Sequence, residues 1–130
     1  MLFGLYFFLY TFVTINTLLM KKIEATIRSS KFDEVQEALH NIGVDYFTYM
    51  EVKGVGKQKS EVFYRGAHYD MGSIPRILLD IVVPEEKVEQ VVECILKAAK
   101  TGEIGDGKIF IYDVEKVIRI RSGEVGKAAL

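Results

Sequence analysis

Cysteine is almost missing from this chain. Among 130 residues only Cys94 carries a thiol, which excludes an intrachain disulfide framework and fits a reducing compartment. Cys94 sits among Val91, Val92, Ile95 and Leu96. A thiol in apolar surroundings is inert, so it reads as a helix core residue rather than a nucleophile. Histidine is scarce too: His40 and His68 stand far apart with no ligand-like spacing, which argues against a zinc site. An excess of positive charge is also lacking. The formal net charge is -1, without the basic footprint of a nucleic-acid binder. What the chain has in quantity is hydrophobic residues, at 49%, enough for a core and against global disorder. Its length suits one domain and not two.

Residues 2–19, LFGLYFFLYTFVTINTLL, contain no charge and approach the length of a bilayer-spanning helix. Three readings compete. A signal peptide wants a basic start and a small-residue cleavage site, and neither is evident. A membrane anchor is weakened in its second half by Thr11, Thr14, Asn16 and Thr17. The favoured reading makes residues 1–19 an extension ahead of a start at Met20, with one globular domain over 20–130.

Periodicity predicts the rest. Lys22 to Arg28 alternates apolar Ile23, Ala25 and Ile27 with polar neighbours, the pattern of a half-buried strand. Ser29 and Ser30 are placed to cap a helix carrying Phe32, Val35, Leu39 and Ile42, which Gly43 ends. Tyr46 to Val52 and Ile77 to Val83 read as strands. Pro84 then opens a helix with an apolar stripe of Val88, Val91, Val92, Ile95, Ala98 and Ala99. Lys108 to Val114 reads as a fourth strand, and Val117 to Arg121 as a short extra one placing Arg119 and Arg121 on one face. The expected fold class is α+β, a ferredoxin-like βαββαβ sandwich. Two helices cover one face of such a sheet, yet the third strand looks buried on both. A ring of identical chains is the natural cover.

Two segments suggest anion chemistry. Lys53 to Arg76 is long for a connection in a compact domain. From Lys53 to Tyr69 it holds four basic residues against one acid, a local charge of +3. Its own residues leave a solvated basic loop and an anion-binding loop both open. Thr101-Gly102-Glu103-Ile104-Gly105-Asp106-Gly107-Lys108 can cradle phosphate through main-chain donors, or be an ordinary helix-to-strand turn with Gly102 as C-cap. Arg119 and Arg121 add permanent cations for the same anion, or gatekeepers on an edge strand.

Taken together, Met20-Lys21-Lys22-Ile23-Glu24-Ala25, Glu51 to Lys59 (EVKGVGKQK), Tyr64 to Tyr69 (YRGAHY), Thr101 to Phe110 (TGEIGDGKIF) and Val117 to Glu124 (VIRIRSGE) resemble the nitrogen-regulatory PII family over residues 20–130. The resemblance implies a homotrimer with a long T-loop between the second and third strands and three nucleotide sites between subunits. It implies that Thr48, Asp80 and the main chain of Val82 hold the adenosine end of ATP or ADP. Thr101, Gly105, Asp106, Gly107 and Lys108 would form the phosphate turn. Gly56 and Lys57 would contribute from the T-loop base, and Arg119 and Arg121 from a neighbouring subunit. Gln58 would ligate a Mg²⁺ shared with ATP phosphates and 2-oxoglutarate, oxygen-rich company that suits this ion. Lys59 and Arg76 would face the 2-oxoglutarate carboxylates. Tyr69 matches a tyrosine that some members uridylylate. The implied partners are an ammonium transporter or a nitrogen-assimilation enzyme, and the implied place is the cytoplasm with recruitment to the inner face of the membrane. The sequence departs from the family at Arg76, where lysine is usual, at Ser60, His68 and Glu103, and in a T-loop about one residue short.

A different class remains as the alternative, a small ferredoxin-like hydrolase of the acylphosphatase type, because this fold hosts many functions. The chain offers no nucleophile–base pair at telling spacing. A trimeric metal-tolerance protein shares the architecture but needs neither the glycine-rich turn nor the two arginines.

Overall fold

The computed structural model describes residues 4–5, 19–55, 61–64, 67–70 and 74–130. Strand β1 (Met20–Arg28) leads through a 3-10 turn (Ser29–Lys31) into helix α1 (Phe32–Asn41), then β2 (Thr48–Gly54). A hairpin of β3 (Glu61–Tyr64) and β4 (Ala67–Asp70) follows, then β5 (Ile74–Pro84), a 3-10 turn (Glu85–Lys87), α2 (Val88–Ala99) and β6 (Lys108–Val114). A last 3-10 turn covers Gly126–Ala129. The main sheet runs β2-β5-β1-β6 with antiparallel neighbours throughout. Removing the inserted hairpin leaves βαββαβ, the ferredoxin-like order expected.

The period of two in β1 and β5 decides which face is dry. Ile23, Ala25 and Ile27 with Ile77, Leu79, Ile81 and Val83 are buried against Val35 and Leu39 of α1 and Val91, Ile95 and Ala99 of α2. Cys94 is half-buried beside this core, where burial raises its thiol pKa. Gly43 ends α1 as expected. At φ +83 it takes a left-handed conformation, its N–H bonds the His40 carbonyl at 2.9 Å, and Val44 N–H reaches back to Leu39 at 2.9 Å.

Among the described residues no helix of the domain covers the second face of the sheet. Leu78, Asp80 and Val82 are only half-buried there, and Met50, Phe110 and Tyr112 are 51%, 48% and 45% exposed. A strand written for burial on both sides is thus covered on one side by the described residues.

Four expectations need correction. The serines do not cap α1: Ser29 and Ser30 form a 3-10 turn and Lys31 takes the N-cap with no side-chain bond. The second strand is Thr48–Gly54 rather than Tyr46–Val52, because its pairing with β5 begins at Thr48↔Asp80. The long connection is no plain loop, since its β-prone Glu61–Tyr64 pairs with Ala67–Asp70. Val117–Arg121 is not a strand. A single bridge, Ile118↔Val125, closes a turn in which Gly123 at φ +72 donates to Arg119 at 2.8 Å. The chain reverses too soon to pair, so no strand alternation sets Arg119 and Arg121 on one face.

Most of residues 2–19 lies outside the described residues, apart from Gly4, Leu5 and Leu19. Among the described residues no helix is long and apolar enough to cross a membrane.

Leu79 is fully buried at the centre of β5. Leu79→Ala is expected to cost about 2–5 kcal/mol of stability, read as a lowered urea midpoint at fixed protein concentration.

Candidate functional site

The turn from α2 to β6 is built around one carboxylate. The helix ends at Ala99, and its C-cap is Lys100 in extended conformation, so Gly102 lies beyond the cap. From there the chain must reverse, and Gly102, Gly105 and Gly107 do so at φ +89, +104 and +105. Only glycine adopts these values without strain. Asp106 accepts the N–H groups of Thr101 and Gly102, each at 2.9 Å, and the Thr101 hydroxyl. Arg28 Nε, at the end of β1, adds a fourth donor at 3.1 Å. The Thr101 hydroxyl first, then the two N–H groups and Arg28, hold the Asp106 carboxyl well below the usual carboxylate range against the opposing effect of burial.

Gly107 fixes the loop to the sheet. A Cβ there would sit 1.7 Å from the Thr26 carbonyl oxygen, so the backbone approaches β1 as no other residue permits. Thr26 also pairs with Lys108, the first residue of β6. Thr26, Asp106, Gly107, Lys108 and Lys100 line one end of a cavity of about 410 Å³ whose other wall is apolar, from Val92, Ile95 and Ile109.

Two arginines grip the loop from the sheet. Arg28 Nη2 donates to the Ile104 carbonyl at 3.0 Å, and the Arg76 guanidinium donates to the Gly105 carbonyl. Arg76, expected at the effector carboxylates, is here a ligand of the loop. It also borders the exit of β2, since a Cβ on Gly54 would lie 3.6 Å from its Nε. Arg28 was missed in the sequence, where it reads as one polar residue of an alternating strand. Its signal is the Arg28↔Arg76 pairing across β1 and β5. Like charges directly opposite are unfavourable without a compensating partner, but that pairing exists only in the register.

The remaining expected residues fall elsewhere. Thr48 pairs with Asp80 across β2 and β5. With Val82, Lys87, Ala129 and Leu130 they line a second cavity of about 760 Å³. Asp80 Oδ1 is buried without a hydrogen bond, with Lys22 Nζ at 3.6 Å. Burial pulls the Lys22 pKa down, but the charges of Asp80 and Glu24 outweigh it and the net shift is upward. Arg119 donates to the Leu130 carbonyl at 2.9 Å and lies 3.8 Å from Glu124, while Arg121 is exposed in the turn. The structure therefore brings Thr101, Gly105, Asp106, Gly107, Lys108 and Arg76 together, and gathers Thr48, Asp80 and Val82 in a different cavity. Gly56, Lys57, Gln58 and Lys59 lie outside the described residues, and Tyr69 belongs to β4.

Chemically the loop is suited to an oxyanion. Its acceptors are occupied by arginine and by its own donors, and main-chain N–H groups with nearby lysines remain. Known proteins resemble this chain over most of its length. The family profile described as "Nitrogen regulatory protein P-II" matches residues 20–124. A relative from Pasteurella multocida, "Nitrogen regulatory protein P-II", is 50% identical over 112 residues, 85% of this chain and 100% of its own. "Nitrogen regulatory protein P-II 1" of Escherichia coli is 49% identical over the same shares. Among solved structures, Arabidopsis thaliana PII bound to citrate superposes with a TM-score of 0.72 at 37% identity, covering 86% of this chain and 92% of that one.

Two outcomes are expected. Gly107→Ala forces a side chain into the Thr26 carbonyl at positive φ, so it costs about 1–3 kcal/mol from backbone strain alone, measurable by thermal unfolding. Asp106 has a depressed pKa in the folded state, so the stability it confers is present above the ordinary carboxylate range and is lost as pH falls. Wild-type urea midpoints are therefore expected to drop below about pH 5, with a shallower drop in Asp106→Asn.

Proposed function

The chain belongs to the nitrogen regulatory protein P-II family, and on that premise we propose that it senses ATP, ADP and 2-oxoglutarate and reports through its T-loop. It is a regulatory protein rather than an enzyme, as its relatives are named. The observation that carries the ligand reading is the glycine-rich loop pinned by Asp106, whose geometry suits a phosphate. In this reading Thr101, Gly105, Asp106, Gly107 and Lys108 take the phosphates, and Thr48, Asp80 and Val82 take the adenosine of a nucleotide bound to another copy. Asp106, Gly107 and Lys108 line one cavity of the chain, and Thr48, Asp80 and Val82 another, which supports sites between subunits. A homotrimer supplies them and also covers the bare sheet face. Arg119 and Arg121 then reach the phosphates of the neighbouring site.

Gly56 and Lys57 carry the nucleotide's state to the T-loop base. A Mg²⁺ would take the Gln58 oxygen and the nucleotide phosphates as ligands, and Lys59 and Arg76 would face 2-oxoglutarate. Citrate in the Arabidopsis relative is, like 2-oxoglutarate, a carboxylate anion. A carboxylate drawn to Arg76 competes with the Gly105 carbonyl for one guanidinium, so effector and phosphate seat share a group beside Gly54. A shared group of this kind gives the differential binding that a loop switch requires. The hairpin of β3 and β4, with Tyr69 on β4 as a site for uridylylation, is the output surface. Its target is an ammonium transporter or an enzyme controlling glutamine synthesis, met in the cytoplasm or at the inner face of the membrane.

Calorimetry tests the reading. ATP and ADP are expected to compete for one class of site, and 2-oxoglutarate to give heat only with Mg-ATP present. Heat from 2-oxoglutarate without nucleotide, or none under any condition, rules the sensing scheme out. Arg119→Ala is expected to weaken ATP by about tenfold or more, as for loss of a charge-assisted contact, with the trimer intact by sedimentation.

A further inference from the structure

The geometry points to Arg28 as the positioning residue of the phosphate seat, acting through Ile104 and Asp106. This rests on the proposal that the loop binds nucleotide phosphates. Arg28 reaches the loop from β1 with two atoms of one planar fork, Nε on Asp106 at 3.1 Å and Nη2 on the Ile104 carbonyl at 3.0 Å. A guanidinium used in this way has a fixed plane and fixed donor directions.

The consequence follows from peptide planarity. In a trans peptide the C=O of one residue and the N–H of the next point in opposite directions, and the described chain has no cis bond. Arg28 holds the Ile104 carbonyl toward the sheet, so the Gly105 N–H is turned away from it. Arg76 holds the Gly105 carbonyl, so the Asp106 N–H is turned away likewise. Among the described residues neither N–H has a hydrogen-bond acceptor. Two successive aimed donors, with Gly105 at φ +104, make a concave nest for an anion. An arginine beside a phosphate site is easily read as a ligand of the phosphate. Here two of its five donors are committed to the loop, and the cation works by orienting peptides.

The sheet register explains why the arrangement persists. Arg28 and Arg76 oppose each other across β1 and β5, a like-charge pair that is unfavourable alone. The Asp106 carboxylate and two carbonyls offset it. A local rule broken in this way marks a functional place in a fold.

The test compares Arg28→Gln and Arg28→Lys with the wild type. Hydrogen–deuterium exchange on the unliganded proteins reads the loop directly. Faster exchange across residues 102–107 is expected in Arg28→Gln, with partial recovery in Arg28→Lys, which keeps one donor but not the fork. Unchanged exchange overturns the positioning role, since a residue that only met the ligand would leave the empty loop alone. Calorimetry then reads ATP, ADP and AMP. Arg28→Gln is expected to weaken ATP and ADP about tenfold, and AMP about threefold, as fewer phosphates use the nest. An equal loss for all three indicates a general structural defect and overturns the role. Wild-type protein that binds no ATP overturns the nucleotide reading itself, whereas binding wild type with equally tight variants overturns only the role of Arg28. Should Arg28→Gln fail to fold, Arg28→Lys carries both measurements.

Discussion

The Asp106 carboxylate takes four donors at once, and the loop between α2 and β6 owes its shape to that concentration of bonds. Two donors are the main-chain N–H groups of Thr101 and Gly102, one is the Thr101 hydroxyl, and one comes from Arg28 across the sheet. An ionised carboxylate is worth more as an acceptor than a neutral group, so the same bonds that shape the loop also keep Asp106 charged. A negative charge beside a proposed phosphate seat looks like an error. It is not one here, because the charge faces inward to the loop's own donors and leaves other N–H groups for the anion.

The sheet makes this possible. Gly107 touches the Thr26 carbonyl, Arg28 and Arg76 sit in register on neighbouring strands, and both strands are held by a core that is fully dry on the helix side. The loop is therefore mounted on the most rigid part of the molecule, where a binding loop is best placed. Arg76 also borders Gly54 at the exit of β2, so the two ends of the T-loop connection and the phosphate loop meet at one side chain. Packed contacts of this sort have discrete arrangements rather than graded ones, which suits the switch proposed for the T-loop.

The opposite face of the sheet leaves apolar side chains uncovered by the described residues. Val82 and Leu78 lie half-buried, and Met50, Phe110 and Tyr112 stay well exposed. A lone Asp80 oxygen is buried there without a hydrogen bond. Buried oxygens without partners are uncommon and ask for a missing one, and a nucleotide ribose held between copies would supply it in the proposed assembly.

Much of this was legible in the amino-acid order. Alternation in β1 and the apolar stripe of α2 need only local periodicity, which is why both elements and the α+β class follow from residues alone. The glycines of Thr101–Lys108 marked a turn, and their company in five separate segments marked the P-II family. Other features depend on distant residues. Val117–Arg121 has strand-like residues, but no partner strand reaches it, and Gly123 folds it back. Ser29 and Ser30 have the chemistry of caps, but a 3-10 turn places Lys31 at that position. The alignment of Arg28 with Arg76 is a property of strand register. The grip of both on Ile104 and Gly105 joins segments more than twenty-five residues apart. The sequence by itself determined the elements, the family and the chemistry of the loop, because these are written in neighbouring residues. The tertiary structure alone decided which arginine holds which carbonyl and which expected residues stay apart, because those are set by packing between residues that are remote in the chain.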